Sequence, residues 1–317
     1  MSGTERGAIV HQPVLLAEAL GLLVPPADDG LMVDATLGQG GHAQAFLERY
    51  PRLALVGIDA DEAVLETARA RLAGFAGRVE LVRGWFADVL EDWGDRRRPH
   101  LVLFDLGISR FHYEASGRGF SFDRGEPLDM RLDPTAGASA ADIVNGASMA
   151  ELADILRRYG EEPEARRIAA SIVAERALAP IDSARRLAEV IRGAVAPTRR
   201  HGRLDPATRS FQALRIAVNG ELAQLERGLA AAFGLLPPRG RIAVISFHSL
   251  EDRIAKRFFA SRLGRCTCPP ETPICICGRK RELSLLAAKA VRPGVEETAR
   301  NPAARSAKLR AAQKVAA

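Results

Sequence analysis

Cysteine is scarce in this chain, with four residues in 317, all between positions 266 and 277. Four thiols in one short segment are too few for a disulfide scaffold. The opening MSGTERGAIVHQPVLL lacks the basic-then-apolar layout of an export signal. Reduced thiols and a cytoplasmic location are therefore expected. No apolar run approaches the ~20 residues of a membrane span, so no membrane association is expected either. With 47% hydrophobic and 26% charged residues, the composition excludes a disordered or collagen-like chain. A large excess of one charge is also missing. Lys and Arg number 45 against 39 Asp and Glu, a net of +6, which permits a polyanionic partner without requiring one.

What is present is a chain long enough for one large domain or two smaller ones. Its first third alternates strand and helix patterns. A helical HQPVLLAEALGLL stops at Pro25-Pro26. Then come a buried strand in LMVD, a glycine-rich turn and a helix, a second strand in LALVGIDAD, a third in VELVRGWF and a fourth in HLVLFDLGIS. Strands separated by helices imply βαβ units and a parallel sheet. After about residue 115 only helical periodicity continues, through FQALRIAVNGELAQLERGLAAAFGLL as one long helix, until GRIAVISFHS resumes the strand pattern. The economical organisation is an α/β sheet domain at 1–136, an inserted all-helical domain at 137–205, and a second part of the sheet domain at 206–317. The last of these ends in an irregular basic arm.

The chemistry gathers at the strand ends. Asp34-Ala35-Thr36-Leu37-Gly38-Gln39-Gly40-Gly41-His42 follows the first strand. Glycines there let backbone approach a ligand, and the helix behind offers unpaired N–H groups. Asp59 closes the second strand, where an acid can grip ribose hydroxyls. A nucleoside-containing cofactor fits better than a bare tight turn with a surface acid. GQGGHA also satisfies the dinucleotide fingerprint, which makes a nicotinamide oxidoreductase a rival. Asp34 weighs against it, because a carboxylate at the mouth of the turn repels a pyrophosphate and suits the ammonium and sulfonium of S-adenosylmethionine. Phe86, in the Trp85-Phe86-Ala87-Asp88 run that ends the third strand, could meet an adenine ring or simply close the core. Asp105, at the end of the fourth, points toward cofactor and substrate or caps the next turn. No Asp/Ser-Pro-Pro-Tyr/Trp signature of amino methyltransferases is present; DLGIS stands in its place.

HQPVLL, DATLGQGGHA, GIDAD, FDLGIS, RGFSF, PLDMR, TRSFQALRIAVNGEL, SFHSLEDRIAK and NPAARSAKLR occur in that order. Together they resemble the bacterial small-subunit ribosomal RNA cytosine-N4 methyltransferases of the RsmH (MraW) family, from His11 to about Arg310. The resemblance implies a Rossmann-like S-adenosylmethionine methyltransferase sheet with a helical insertion, and methylation of the exocyclic N4 of a cytidine in the decoding region of 16S rRNA. It implies donor binding by Gly40, Gly41, His42, Asp59, Phe86 and Asp105. Methylating an amino group also calls for an acceptor on its N–H, and Asp105 is the candidate catalytic group, alone or through water, or else binds the donor only. One position departs: where the family has a Ser-Ser-Pro-Gln-Leu-Asp-like run, this chain has Ser109-Arg110-Phe111-His112-Tyr113-Glu114. His112 stands at the donor-contacting Gln, and a histidine can still make one such hydrogen bond. The intact set of Gly40, Gly41, Asp59 and Asp105 weighs against a third reading, an RNA-binding assembly factor with a degenerate donor pocket.

Other signals carry two readings each. Arg118-Gly119-Phe120-Ser121-Phe122 could stack on an unpaired base or pack its phenylalanines inward. His248 could touch substrate or cap the helix after it. Basic residues at Arg199-Arg200-His201-Gly202-Arg203, at Arg279-Lys280-Arg281 and at Arg305, Lys308 and Arg310 could form an RNA-backbone rim. Cys266-x-Cys268-x6-Cys275-x-Cys277 could hold zinc, but C-x-C is tighter than the usual C-x2-C. Loop-packing thiols and no metal are expected.

Overall fold

A computed structural model describes residues 13–27, 29–196, 205–266, 268 and 277–316. The chain divides into two compact units, one formed by 1–107 with 225–317, the other by 108–224.

The first unit contains the helix Leu16–Leu22 (α1), then strand Leu31–Asp34 (β1), helix Gly41–Arg49 (α2), strand Ala54–Asp59 (β2), helix Glu62–Arg71 (α3), strand Val79–Arg83 (β3), helix Phe86–Glu91 (α4) and strand Leu101–Asp105 (β4). One seven-stranded sheet runs β3-β2-β1-β4-β5-β7-β6, where β5 is Arg241–Ser246, β6 Leu283–Leu285 and β7 Lys308–Lys314. The first five strands in that order are parallel, and β7 runs antiparallel to both β5 and β6. Alternate residues of each strand serve opposite faces. Met32, Leu55, Leu101, Leu103, Ala243 and Ile245 pack with Leu15, Ala43, Phe46 and Leu65 on one side. Val33, Val56, Ile58, Val102, Phe104 and Val244 pack with Leu229, Phe233 and Phe259 on the other. Helices on both faces explain why β1 and β4 read as continuous apolar runs.

The C-terminal stretch differs from the irregular arm that its composition suggests. It supplies two strands, and β7 is an interior member of the sheet. The alternation in KLRAAQK is short and rests on alanines, with Leu309, Ala311 and Ala312 buried. Its partner strand lies far away in sequence, so local pattern does not announce it. Lys308 and Arg310 both pair with Asp252, at 2.9 and 2.7 Å. Those two cations are engaged inside the fold.

The second unit contains helices Arg110–Glu114 (α5), Ala140–Gly146 (α6), Met149–Gly160 (α7), Ala165–Arg176 (α8), Ala184–Ala194 (α9) and Ala207–Asn219 (α10). Ser139 and Ser148 start α6 and α7 with capping boxes to Asp142 and Glu151. The core is Leu152, Leu156, Ile168, Ile172, Leu187, Ile191 and Leu214. This unit is wider than the 137–205 expected from helical periodicity, because an irregular segment packs into it. Phe120, Leu128 and Met130 lie in the same core. Asn219 donates to the Met130 carbonyl and accepts from Leu132 N, both at 2.8 Å. Leu128 and Met130 thus anchor the PLDMR run, and a two-pronged ion pair between Asp129 and Arg131 at 2.8 Å closes it.

The long helix expected over residues 211–236 is two helices. Gly220 adopts a left-handed φ of 60° and separates α10 from the helix Glu221–Leu235 (α11).

Candidate active site

In an open α/β sheet, ligands meet the carboxyl ends of the strands where the strand order reverses. Here that point lies between β1 and β4, and three acids stand at or beside it. Asp34 ends β1, Asp59 ends β2 and Asp105 ends β4.

The turn between Asp34 and α2 is tied to its neighbours by backbone and side-chain bonds. Thr36 Oγ1 accepts from Asp105 N at 2.6 Å, and Ala35 N donates to the Leu103 carbonyl at 2.9 Å. Asp59 Oδ2 accepts from Gly38 N at 2.9 Å, and its Oδ1 accepts from Asp61 N at 3.0 Å. A carboxylate oxygen has two lone-pair positions, so Asp59 can order the glycine turn and still accept from a ribose. Gly40 caps α2 with a left-handed φ of 78°, a conformation that suits glycine. A Cβ on Gly41 would lie 2.6 Å from Pro13 Cγ. The fold itself therefore requires both glycines, whatever they bind.

His42 enters the first turn of α2 and is 4% exposed. Its Nε2 lies 3.1 Å from the Val14 carbonyl and its Nδ1 lies 3.3 Å from Asp105 Oδ2. A carbonyl can only accept, so Nε2 must carry hydrogen. Nδ1 then faces a carboxylate, and that contact also needs a hydrogen between the two. The arrangement suits an imidazolium. Burial pulls the imidazole pKa down, but the hydrogen bond and charge of Asp105, with Asp34 behind it, hold it above the ordinary value. The His42 side chain therefore positions Asp105, and its backbone N–H, in the first turn of α2, is the part left to meet a ligand.

Asp34 is 1% exposed. Burial is the main force pushing its carboxyl up to about 7; His42 offsets part of this, and the charges of Asp105 and Asp59 add to it. Asp34 Oδ1 and Asp105 Oδ1 are both enclosed without a hydrogen-bond partner. Two enclosed acceptors beside a glycine turn fit a ligand that brings positive charge or N–H donors. They fit a pyrophosphate poorly.

Phe86 does not end a strand, as the VELVRGWF pattern suggests. It is the first residue of α4, after Trp85 at the N-cap. One side of its ring meets Phe104 edge-on at 5.4 Å, and a Cβ on Gly228 would lie 2.6 Å from it. The ring remains partly exposed.

His112 belongs to the second unit. It is buried in α5, with Phe111 and Phe120 ring centroids at 5.7 and 5.2 Å. RGFSF packs inward there. Phe120 is 5% exposed, Phe122 meets Phe211 at 5.3 Å, and Arg118 donates to the carbonyls of Arg131 and Leu132. His248 stands at the N-cap of the helix Ser249–Ser261 (α12), with Nε2 3.1 Å from Glu251 Oε1. Glu251 also accepts the N–H groups of Phe247 and His248, at 2.7 and 3.2 Å, which is the capping arrangement. Arg279, Lys280, Arg281 and Arg305 are exposed, whereas the cluster at Arg199, Arg200 and Arg203 lies outside the described residues.

Sequence reasoning found the three acids and the turn. It missed the pairing of His42 with Asp105 and the capping use of Glu251, since neither has a local signature.

Comparison with known proteins identifies the family. The MraW methylase family model matches residues 8–315. A Ribosomal RNA small subunit methyltransferase H from Treponema denticola is 51% identical over 307 residues, covering 96% of this chain and 98% of the relative. Another of that name from Thermomicrobium roseum is 50% identical, covering 96% and 94%. Among solved structures, an rRNA methylase from Streptococcus thermophilus aligns with a TM-score of 0.41 at 12% identity, over 98% of this chain and all of the other. A match along nearly the whole chain, with relatives half identical to it over almost their full lengths, means that the chain belongs to the MraW methylase family.

Proposed function

We propose that this enzyme transfers a methyl group from S-adenosylmethionine to the exocyclic N4 of a cytidine in the decoding region of 16S rRNA. The small ribosomal subunit would be its partner and the cytoplasm its location. Among the described residues no helix is long and apolar enough to cross a membrane. The names carried by the relatives from Treponema denticola and Thermomicrobium roseum support the RNA class. The observation that carries the donor reading is the pair of enclosed, unpartnered carboxylate oxygens on Asp34 and Asp105 beside the glycine turn.

The donor would lie against Gly40, Gly41 and the backbone of His42, with Asp59 on its ribose. Phe86 and His112 complete the proposed donor set. S-adenosylmethionine supplies an electrophilic methyl on a sulfonium. The protein must supply the nucleophile's orientation, because the cytosine amino lone pair is delocalised into the ring. Holding that nitrogen in line at near-attack distance lowers the barrier by ~7–11 kcal/mol. Asp105 is the catalytic group in this scheme. His42 fixes its Oδ2, which leaves Oδ1 to accept an amino N–H as positive charge grows on nitrogen. The same carboxylate then takes the proton that the methylated nitrogen releases.

The test combines purified enzyme, labelled donor and small-subunit RNA, with the product nucleoside identified by mass spectrometry. N4-methylcytidine at a single position is expected. Asp105→Asn should lower the single-turnover rate even at saturating donor. A product other than N4-methylcytidine would sink the substrate assignment, and a normal saturated rate in Asp105→Asn would leave Asp105 as a donor ligand only. Titration with NAD checks the oxidoreductase alternative, for which no binding is expected.

A further inference from the structure

Beyond the proposed active site, the three cysteines among the described residues converge. The Sγ atoms of Cys266, Cys268 and Cys277 all lie within 4.8 Å of one another. Cys277 Sγ and Cys266 Sγ are 3.8 Å apart. That is far longer than the ~2.05 Å of a disulfide bond. It matches the edge of a zinc–thiolate tetrahedron, because ligands at ~2.3 Å from a central zinc stand ~3.8 Å from one another. The backbone N–H of Cys268 also points at Cys266 Sγ at 3.4 Å. A C-x-C step brings that donor onto the preceding sulfur, where its hydrogen bond can stabilise a metal-bound thiolate. The tight spacing that weighed against a metal in the sequence therefore has a use in the structure.

The surroundings support the same reading. The segment is closed at its base, where Glu282 N donates to the Arg262 carbonyl at 2.9 Å. Gly264 packs so tightly against Arg281 that a Cβ would fall 2.6 Å from its backbone N. Between these ends the sequence RCTCPPETPICICG offers two isoleucines as its only large apolar residues, too few to bury a core of its own. A segment with so few large apolar residues is where a structural metal adds folding free energy. Zinc with three thiolates carries a net charge of −1, and exposed Arg265, Arg279, Lys280 and Arg281 flank the cluster.

We propose that Cys266, Cys268 and Cys277 form a structural zinc site that closes this loop. Binding replaces three S–H bonds with three Zn–S bonds and releases three protons, with no change of oxidation state. Cys275, which lies outside the described residues, repeats the C-x-C spacing with Cys277.

The test uses the full-length, untagged protein purified under reducing conditions. Elemental analysis should find one zinc per chain. After chelation, Co2+ alone should restore a thiolate-to-metal charge-transfer band with the ligand-field bands of tetrahedral cobalt. Zinc should also protect Cys266 and Cys277 from alkylation, mapped by mass spectrometry in the wild type, so the result does not depend on any variant folding. Cys266→Ser and Cys277→Ser should each abolish the stoichiometric zinc. Cys275→Ser should abolish it as well if that thiol is the fourth ligand, and leave the zinc in place if another group fills the position; in both cases the three-thiolate site stands. Absence of zinc after reconstitution, zinc retained equally by a Cys266/Cys268/Cys277 triple serine variant, or a Cys266–Cys277 disulfide in its place would each overturn the proposal.

Discussion

Replacing Asp34 with asparagine should make the donor-free protein more stable at alkaline pH. Asp34 is 1% exposed, and burial is the chief reason that its carboxyl sits at about 7 in place of 3.8. A raised carboxyl binds its proton more tightly in the folded than in the unfolded chain. Its contribution to stability is complete below the unfolded value and is lost as pH rises through the folded one. At 1.36 kcal/mol per pH unit, the displacement sets a ceiling of about 4 kcal/mol on that loss. Asparagine has nothing to titrate, and its carbonyl can still accept the Thr36 N–H bond that Asp34 uses. Its amide hydrogens need partners, which costs ~1–3 kcal/mol where none is found. The Asn variant should therefore exceed wild type by ~1–3 kcal/mol at pH 8, with that advantage opening as pH rises from 5. Urea unfolding followed by tryptophan fluorescence is the assay, and it is selective. The chain has two tryptophans, and both Trp85 and Trp93 lie in the sheet unit. A sulfonium beside Asp34 would favour the ionised form, so donor affinity in wild type should also strengthen as pH rises through 7 and lose that trend in the variant. A stability difference that stays constant from pH 5 to 8.5 would refute the buried-carboxyl argument.

Asp59→Ala removes the acceptor of Gly38 N and Asp61 N as well as the proposed ribose ligand. Charge-assisted bonds are worth ~1.5–3 kcal/mol, so calorimetry should show donor affinity lower by roughly 10- to 100-fold, and an unchanged Kd would take Asp59 out of the site. His42→Gln has one amide nitrogen in place of two ring nitrogens, so it cannot hold both the Val14 carbonyl and Asp105 Oδ2 as the imidazole does. The saturated single-turnover rate should fall and its pH profile move, with donor affinity less affected; an unaltered profile would show that Asp105 does not depend on the imidazole. Gly119 has a φ of 73° and no room for a side chain, since a Cβ would fall 2.3 Å from the Pro127 carbonyl oxygen. Gly119→Ala should cost the helical unit ~2–4 kcal/mol, visible as a lower Tm, and a Tm equal to wild type would contradict the close approach.

The parallel strands are readable in the sequence for a physical reason. The four inner ones, β1, β2, β4 and β5, are buried on both faces and leave a largely apolar run between polar turns, as in LVLF before Asp105, whereas the edge strand β3 is half exposed and carries Glu80. β7 left no such trace. It lies antiparallel between β5 and β6, and its lysines and arginine are held by partners such as Asp252. Burial of a strand whose outward residues are long cations depends on neighbours that a local window does not contain. The break at Gly220 is a different case. The apolar spacing continues across it, so periodicity reads one helix, and only the left-handed residue distinguishes two. The irregular segment before α6 is a third case: PLDMR has neither period, and its place in the helical core depends on Asn219, far along the chain.

The acids of the site were visible because topology does the sorting. In a parallel sheet every strand delivers its last residue to the same edge, so Asp34, Asp59 and Asp105 converge once the strands are recognised. What pairs with what at that edge is set by distances of a few ångströms between residues remote in sequence. His42 reads as a helix-start residue near a ligand, yet both ring nitrogens are spent on Val14 and Asp105. Its side chain thus stands behind the Asp105 carboxylate, and its backbone N–H is the part left to meet a ligand. The same logic separates the phenylalanines. Phe86 keeps part of its ring exposed at the start of α4, whereas Phe120 is enclosed by its own unit. An aromatic next to a basic residue therefore carries no information about stacking on a base until its burial is known. Arg118 illustrates the point, because its guanidinium, which lies 5.7 Å from the Phe120 ring, also donates to two backbone carbonyls of its own unit.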